Sequence, residues 1–184
     1  MLLEVDVISG SYSIPGPSAS GSGGLIPSYP IAPPSTIRGF LESLCGKQYG
    51  EFKELDFEFG FRGPPEGRGL ILRKDSVWSS SGLKGSGELK RPLHHETFFG
   101  MHYWIRVEGI DELLSQALQG EVDRFGPLFL GESSDLVTNV REIQEIPRGA
   151  TKLVPGRSYV MPWISGRGFG QRNAVLKGWD LVPA

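Results

Sequence analysis

Cysteine is almost absent from the chain. Cys45 stands alone, so no internal disulfide can form, and a reducing compartment, the cytoplasm, is the expected setting. Histidine is scarce too. Three histidines and one cysteine show none of the spacings of a zinc site, so neither metal nor cofactor is expected. Long apolar runs are also missing. The opening MLLEVDVISG is broken by Glu4 and Asp6, and nothing elsewhere approaches the ~20 apolar residues of a membrane span, so no secretory signal and no membrane partner are expected. No GxSxG, Walker-type or HExxH motif occurs, which removes the commonest hydrolase, nucleotide-binding and zinc-protease signatures.

Glycine and proline are plentiful instead, 26 and 14 of 184 residues, which puts much of the backbone in turns and favours strands joined by long excursions over a helix bundle. A hydrophobic content of 39% fills one core, with room for a small satellite at most. The net charge of −2 argues against an indiscriminately basic nucleic-acid binder. The average hides an alternation, however: −4 over residues 1–61, +4 over 62–91, −6 over 92–140 and +4 over 141–184. If the fold joins the two basic blocks, they make a positive groove suited to a phosphate backbone. Kept apart, they are ordinary solvated charge.

Leu3, Val5 and Val7 alternate with Glu4 and Asp6 and predict a half-buried first strand. Residues 9–33, rich in Gly, Ser and Pro, follow as a long loop of the kind used for binding. Ile37, Phe40, Leu41 and Leu44 are spaced i, i+3, i+4, i+7 after Pro33, Pro34, Ser35 and Thr36, predicting a short amphipathic helix that stops at Gly46. Its start presents Ser35, Thr36, backbone N–H groups and, one turn in, Arg38, a natural phosphate site; in the plainer reading Ser35 is only a cap. Leu55, Phe57, Phe59 and Phe61 predict a second strand with Leu70–Val77 as its hairpin partner. Residues 79–92, carrying Lys84, Lys90 and Arg91, read as a protruding arm. Phe98–Val107 predict a further strand, and Ile110, Leu113, Leu114, Ala117 and Leu118 a second helix ending at Gly120. Residues 135–146 and 158–164 are expected late strands. The order is the βαββαβ of an α+β, ferredoxin-like or RRM-like fold carrying an insertion.

Two patterns invite chemistry. His94 and His95 stand beside Lys90 and Arg91, and a histidine with a lysine can serve as acid and base in metal-independent RNA cleavage. Adjacent strand residues face opposite ways, so at most one of the two reaches a given site. The segment ISGRGFGQR lacks the βαβ unit of a dinucleotide motif, but lets backbone approach an RNA strand while Arg167 and Arg172 meet phosphate and Phe169 stacks a base. A plain glycine-rich turn is the competing reading. Cys45 sits on the buried side of its helix end, a poor place for a nucleophile.

The stretch YPIAPPSTIRGFLESLCG, Tyr29 to Gly46, resembles the first-helix signature of the Cas-five family, a branch of the RAMP superfamily in type I CRISPR complexes. LILRKDSVWSS followed by KRPLHHETFFGMHYWIRV resembles that family's hairpin, thumb and following strand, and PLFLGESSDLV, Pro127 to Val137, its Pro-Leu-Tyr-Leu-Gly signature. The resemblance implies an RRM-like RAMP domain over residues 1–146, with a thumb hairpin at about 72–98, and a short β extension over 147–184 packed on the same core. It further implies a non-catalytic subunit of a Cascade-like surveillance complex that grips the 5′ handle of the crRNA. Its thumb would touch the adjacent backbone subunit, its body would dock the large subunit, and it would meet target DNA through the assembled complex. The resemblance implies RNA contacts by Ser35, Thr36 and Arg38 at the helix start and by the cationic Arg73, Lys74, Lys84, Lys90 and Arg91 of the thumb; Trp78 and His94 of the same segment, and Arg167, Phe169 and Arg172 from the reading of the glycine-rich segment, complete the candidate RNA-binding residues. One branch of the family cuts repeat RNA with a tyrosine, a lysine and a histidine, for which Tyr49, Lys90 and His94 are the nominees here. The motifs resemble the non-cutting branches more.

Overall fold

The computed structural model describes residues 1–13, 25–26, 28–29, 31–62, 66–73, 93–148, 153–156, 176–177 and 180–181. Among them, eleven strands and two helices follow one another as β1 (Leu2–Gly10), β2 (Tyr12–Ser13), β3 (Leu25–Ile26), β4 (Ser28–Tyr29), α1 (Pro34–Leu44), β5 (Phe57–Phe61), β6 (Gly67–Arg73), β7 (Leu93–Val107), α2 (Asp111–Gln119), β8 (Val137–Glu142), β9 (Val154–Pro155), β10 (Leu176–Lys177) and β11 (Asp180–Leu181).

The main sheet has the order β8-β1-β7-β5, and every neighbouring pair is antiparallel. Numbered as the four strands of a βαββαβ unit, this is 4-1-3-2, the ferredoxin-like order that the sequence pattern predicts. Strand β9 adds to the outer edge of β5, pairing Val154 with Phe59 and Pro155 with Glu58.

Period-two alternation builds the core. Leu3, Val5 and Val7 of β1, Phe57, Phe59 and Phe61 of β5, and Met101, Tyr103, Ile105 and Val107 of β7 are all buried. They meet Ile37, Phe40, Leu41 and Leu44 of α1 and Leu114 and Ala117 of α2 in one cluster, so both helices cover the same face. Full burial of each large apolar side chain contributes roughly 1.5–3 kcal/mol. Helix α1 ends at Cys45, with Gly46 beyond it at φ 64°, and α2 ends at Gly120, left-handed at φ 78°. Arg124 then ties both helix ends together, donating to the Leu44 carbonyl and to the Ala117 carbonyl. A cation there complements the partial negative charge of two helix C-termini.

Strand β7 is the spine of the fold. Its 15 residues span about 50 Å, far beyond the mean strand length. Strand β1 lines one edge and β5 the other over its C-terminal half; β6 pairs with it from Gly67↔Phe99 to Arg73↔Leu93, and β3 lies parallel beside His94 and His95. Gly100 marks the change between the halves, at φ 63°. Phe98 and Met101 join the same core cluster although strict alternation would put residues three apart on opposite faces, and the glycine between them supplies the kink.

Two expectations change here. Residues 70–77 are not the hairpin partner of residues 57–61: β6 continues along the edge of β7 that β5 occupies, and its hairpin partner is β7. Proline and glycine in GPPEGRG suggested reversal, whereas β5 and β6 run in one direction. Strand β7 also begins at Leu93, five residues before Phe98. The expected strand at 158–164 lies outside the described residues, and the hairpin expected at 72–98 is described by its legs, β6 and residues 93–99 of β7.

Candidate nucleic-acid interface

Helix α1 opens at Pro34, whose fixed φ suits a first helical position. The amides of Thr36 and Ile37 both turn back to the Pro33 carbonyl, at 2.9 and 3.1 Å, and no side chain caps the helix. Ser35 is thus exposed and is not a cap, while Thr36 and Arg38 are half-buried. The Arg38 Nε is shielded from solvent and has no hydrogen-bond partner. The structure therefore brings Ser35, Thr36 and Arg38 together within the first turns of one helix.

The chain entering that helix is pinned from below. The Ser28 amide donates to the Glu96 carboxylate at 2.9 Å, and the Ala32 amide to the Tyr103 hydroxyl at 3.0 Å. Tyr103 in turn donates to Tyr12 Oη at 3.2 Å. Burial, and for Tyr12 also its neighbour Tyr103, raises both phenols well above their ordinary range, so both remain protonated donors at neutral pH. Beside them the fully buried Asp135 accepts from Ser9 Oγ at 3.0 Å, the Ser11 amide at 3.1 Å and the Glu132 amide at 3.0 Å. Gly131, at φ 127°, lets the loop pass: a Cβ there would sit 2.7 Å from Asp135 Oδ2 and 3.0 Å from the Tyr12 ring. Within PLFLGESSDLV, the buried Asp135 thus holds the 127–136 loop against the end of β1.

Of the remaining thumb candidates, Arg73 and His94 lie in the β6–β7 ladder. Arg73 pairs in register with Leu93, His94 is exposed and His95 is buried, as opposite strand faces require. Lys74, Trp78, Lys84, Lys90 and Arg91 lie outside the described residues, as do Arg167, Phe169 and Arg172. Tyr49 is 93% exposed in the loop after α1, where the buried Glu42 accepts from the amides of Gly50 and Phe52 at 2.9 and 2.8 Å. That loop leads to β5, which starts opposite Val107, whereas His94 lies 13 residues away along β7, about 40 Å of strand. Tyr49 and His94 are not brought together.

Sequence reasoning passed over the face opposite the helices. There the cross-strand pairs stack in rows: Glu58–Arg106–Leu2, then Gly60–Trp104–Glu4–Arg141, then His102–Asp6–Asn139. Arg106 donates to Glu58 at 2.9 Å and Arg141 to Glu4 at 2.5 Å. His102 Nδ1 lies 2.6 Å from Asp6 Oδ1, Asn139 Nδ2 donates to Asp6 Oδ2 at 3.0 Å, and Glu66 Oε1 is 3.7 Å from His102 Nε2. Trp104 is buried on this face, its indole N–H without a partner. Among the described residues, no group of three His, Cys, Asp or Glu is placed to hold a metal ion. The alternation of Glu4 and Asp6 was the available signal; which residues they meet across the sheet is a non-local fact.

No protein-family model and no curated protein matches the chain. Solved structures do. A chain of a "CRISPR RNA-guided surveillance complex" superposes with a TM-score of 0.53 at 15% identity, over 74% of this chain and 58% of that one. A "Cas protein" crystal structure gives 0.41 at 16% identity, over 81% and 64%. A chain of the "Type III-B Cmr-beta bound to cognate target RNA and AMPPnP" gives 0.44 at 10%, over 79% and 64%. The chain thus spans less than two thirds of the length of each. The fold assignment rests on the first of the three, and agrees with the 4-1-3-2 sheet and its two helices on one face: the chain has a ferredoxin-like fold, similar to that of a chain in an RNA-guided surveillance complex.

Proposed function

We propose that this chain is a non-catalytic RNA-binding subunit of a type I, Cascade-like CRISPR surveillance complex and holds the 5′ handle of the crRNA in the cytoplasm. The observation that carries the reading is the β6–β7 hairpin. It extends a sheet whose fold resembles that of a chain in an RNA-guided surveillance complex, and it leads into the segment that holds Lys74, Lys84, Lys90 and Arg91. Handle phosphates meet the start of α1, at Ser35, Thr36 and Arg38, and the basic hairpin residues, where counterion release supplies most of the affinity. Exposed bases stack on Trp78 or Phe169. The hairpin reaches the adjacent backbone subunit, and the body docks the large subunit, through which the complex engages target DNA.

A metal-independent endoribonuclease using Tyr49, Lys90 and His94 is the rival, and the separation of Tyr49 from His94 along β7 argues against it. The test is incubation of the purified protein with labelled repeat RNA in EDTA, read on a denaturing gel alongside a binding titration across salt. Intact RNA, retained through its handle and released by salt, supports the proposal; a discrete cut replaces it with the nuclease.

A further inference from the structure

Phe99 is the one aromatic side chain of the described sheet that reaches solvent, at 36% exposure. Its neighbour Phe98 is in the core, so alternation turns the Phe99 ring away from that side chain. It pairs directly with Gly67, and a Cβ on Gly67 or Gly69 would lie 3.6 or 3.0 Å from its side chain. The ring therefore rests on a strip of bare backbone. Across β7 its register partner on β1 is the small Ser9, so no bulky side chain is paired with the ring from that side. The ring is bordered by acceptors. The Glu66 carboxylate lies over Gly100, next to Phe99, and the next row holds His102 and Asp6.

We infer that this patch is a nucleobase site, in which one unstacked base of a bound single strand lies on Phe99 and turns an exocyclic amino group toward Glu66. The inference rests on the RNA-binding reading above and adds to it a site at the base of the β6–β7 hairpin, distinct from the helix start. Complementarity selects this occupant. A phosphate is repelled by Glu66 and Asp6, whereas the amino groups of adenine, cytosine and guanine are donors that carboxylates accept. A base supplies the flat apolar face that an aromatic ring on a glycine floor can cover. Uracil, which lacks an amino group, is disfavoured.

Fluorescence anisotropy with labelled repeat RNA, and competition by short A, C and U oligomers, tests the site. Phe99→Leu keeps an apolar cover over the glycines but removes the ring. It is expected to weaken binding roughly 5- to 150-fold, the range of one base–aromatic stack, without changing the salt slope. Phe99→Trp is expected to restore affinity, and Glu66→Ala to erase the preference for A and C over U. Unchanged affinity in Phe99→Leu, with wild-type protein binding RNA, overturns this inference and leaves the RNA-binding reading intact. Full RNA binding by Phe99→Leu with loss of assembly into the complex makes the patch a protein interface instead. Absence of RNA binding by the wild-type protein removes both readings.

Discussion

The amide of Ala32 donates to the hydroxyl of Tyr103 at 3.0 Å, a bond between residues 71 apart that fixes the start of α1 to the middle of β7. Tyr103→Phe leaves that buried amide without an acceptor and Tyr12 without its donor. A loss of about 1–3 kcal/mol is expected in urea unfolding, the usual penalty for a buried polar group deprived of its partner. Because the same bond places Ser35 and Thr36, RNA affinity is expected to fall as well.

Asp135 holds the 127–136 loop through three hydrogen bonds to its carboxylate. Asp135→Ala strands the buried Ser11 amide, and a destabilisation on the order of 3 kcal/mol is expected from the same measurement. An unchanged unfolding midpoint would show that the loop is not locked by this residue.

Gly46 occupies φ 64°, and a Cβ there would overlap the Asp123 carbonyl oxygen. Gly46→Ala therefore meets both backbone strain and a clash with main chain that has no side-chain freedom to yield. A loss of at least about 1 kcal/mol is expected, whereas Gly39→Ala, which meets nothing within 4 Å, is expected to be neutral or stabilising.

Burial pushes the Cys45 thiol up to about 11. The unfolded thiol ionises near ~8.5, so between those values the unfolded chain has released a proton that the native chain still holds. Native stability is expected to fall as pH rises through that window, and Cys45→Ala to flatten that part of the profile. Thiol reagents at about pH 8 are expected to label the unfolded protein and spare the folded one.

The basic residues of the arm give the salt test. Lys90→Ala and Arg91→Ala are each expected to weaken RNA binding and to lower the salt slope by about one for every phosphate they no longer neutralise. Together with Phe99→Leu, whose slope is expected to stay unchanged, they separate phosphate binding from stacking.

Much of this architecture is local, and local features are legible in sequence. The 3.6-residue spacing of Ile37, Phe40, Leu41 and Leu44 and the alternation of Leu3, Val5 and Val7 place α1 and β1 without any knowledge of pairing. The partner of β6 is not legible, because GPPEGRG carries the residues of a reversal while the chain continues along β7. Gly100 hides a change of face inside an apolar run, so Phe98 and Phe99 look alike in sequence and only one is in the core. At the site, Ser35, Thr36 and Arg38 are readable because one helix start holds all three. Asp6, Asn139 and His102 come from strands far apart in the chain and meet only through register.

Handle capture without cleavage is decided by presenting the purified protein with labelled repeat RNA in EDTA and following both cutting and retention across salt. Intact RNA, bound through its 5′ handle, with affinity falling steeply as salt rises, is the expected result. A discrete metal-independent cut, or no handle-dependent binding at any salt concentration, would contradict it.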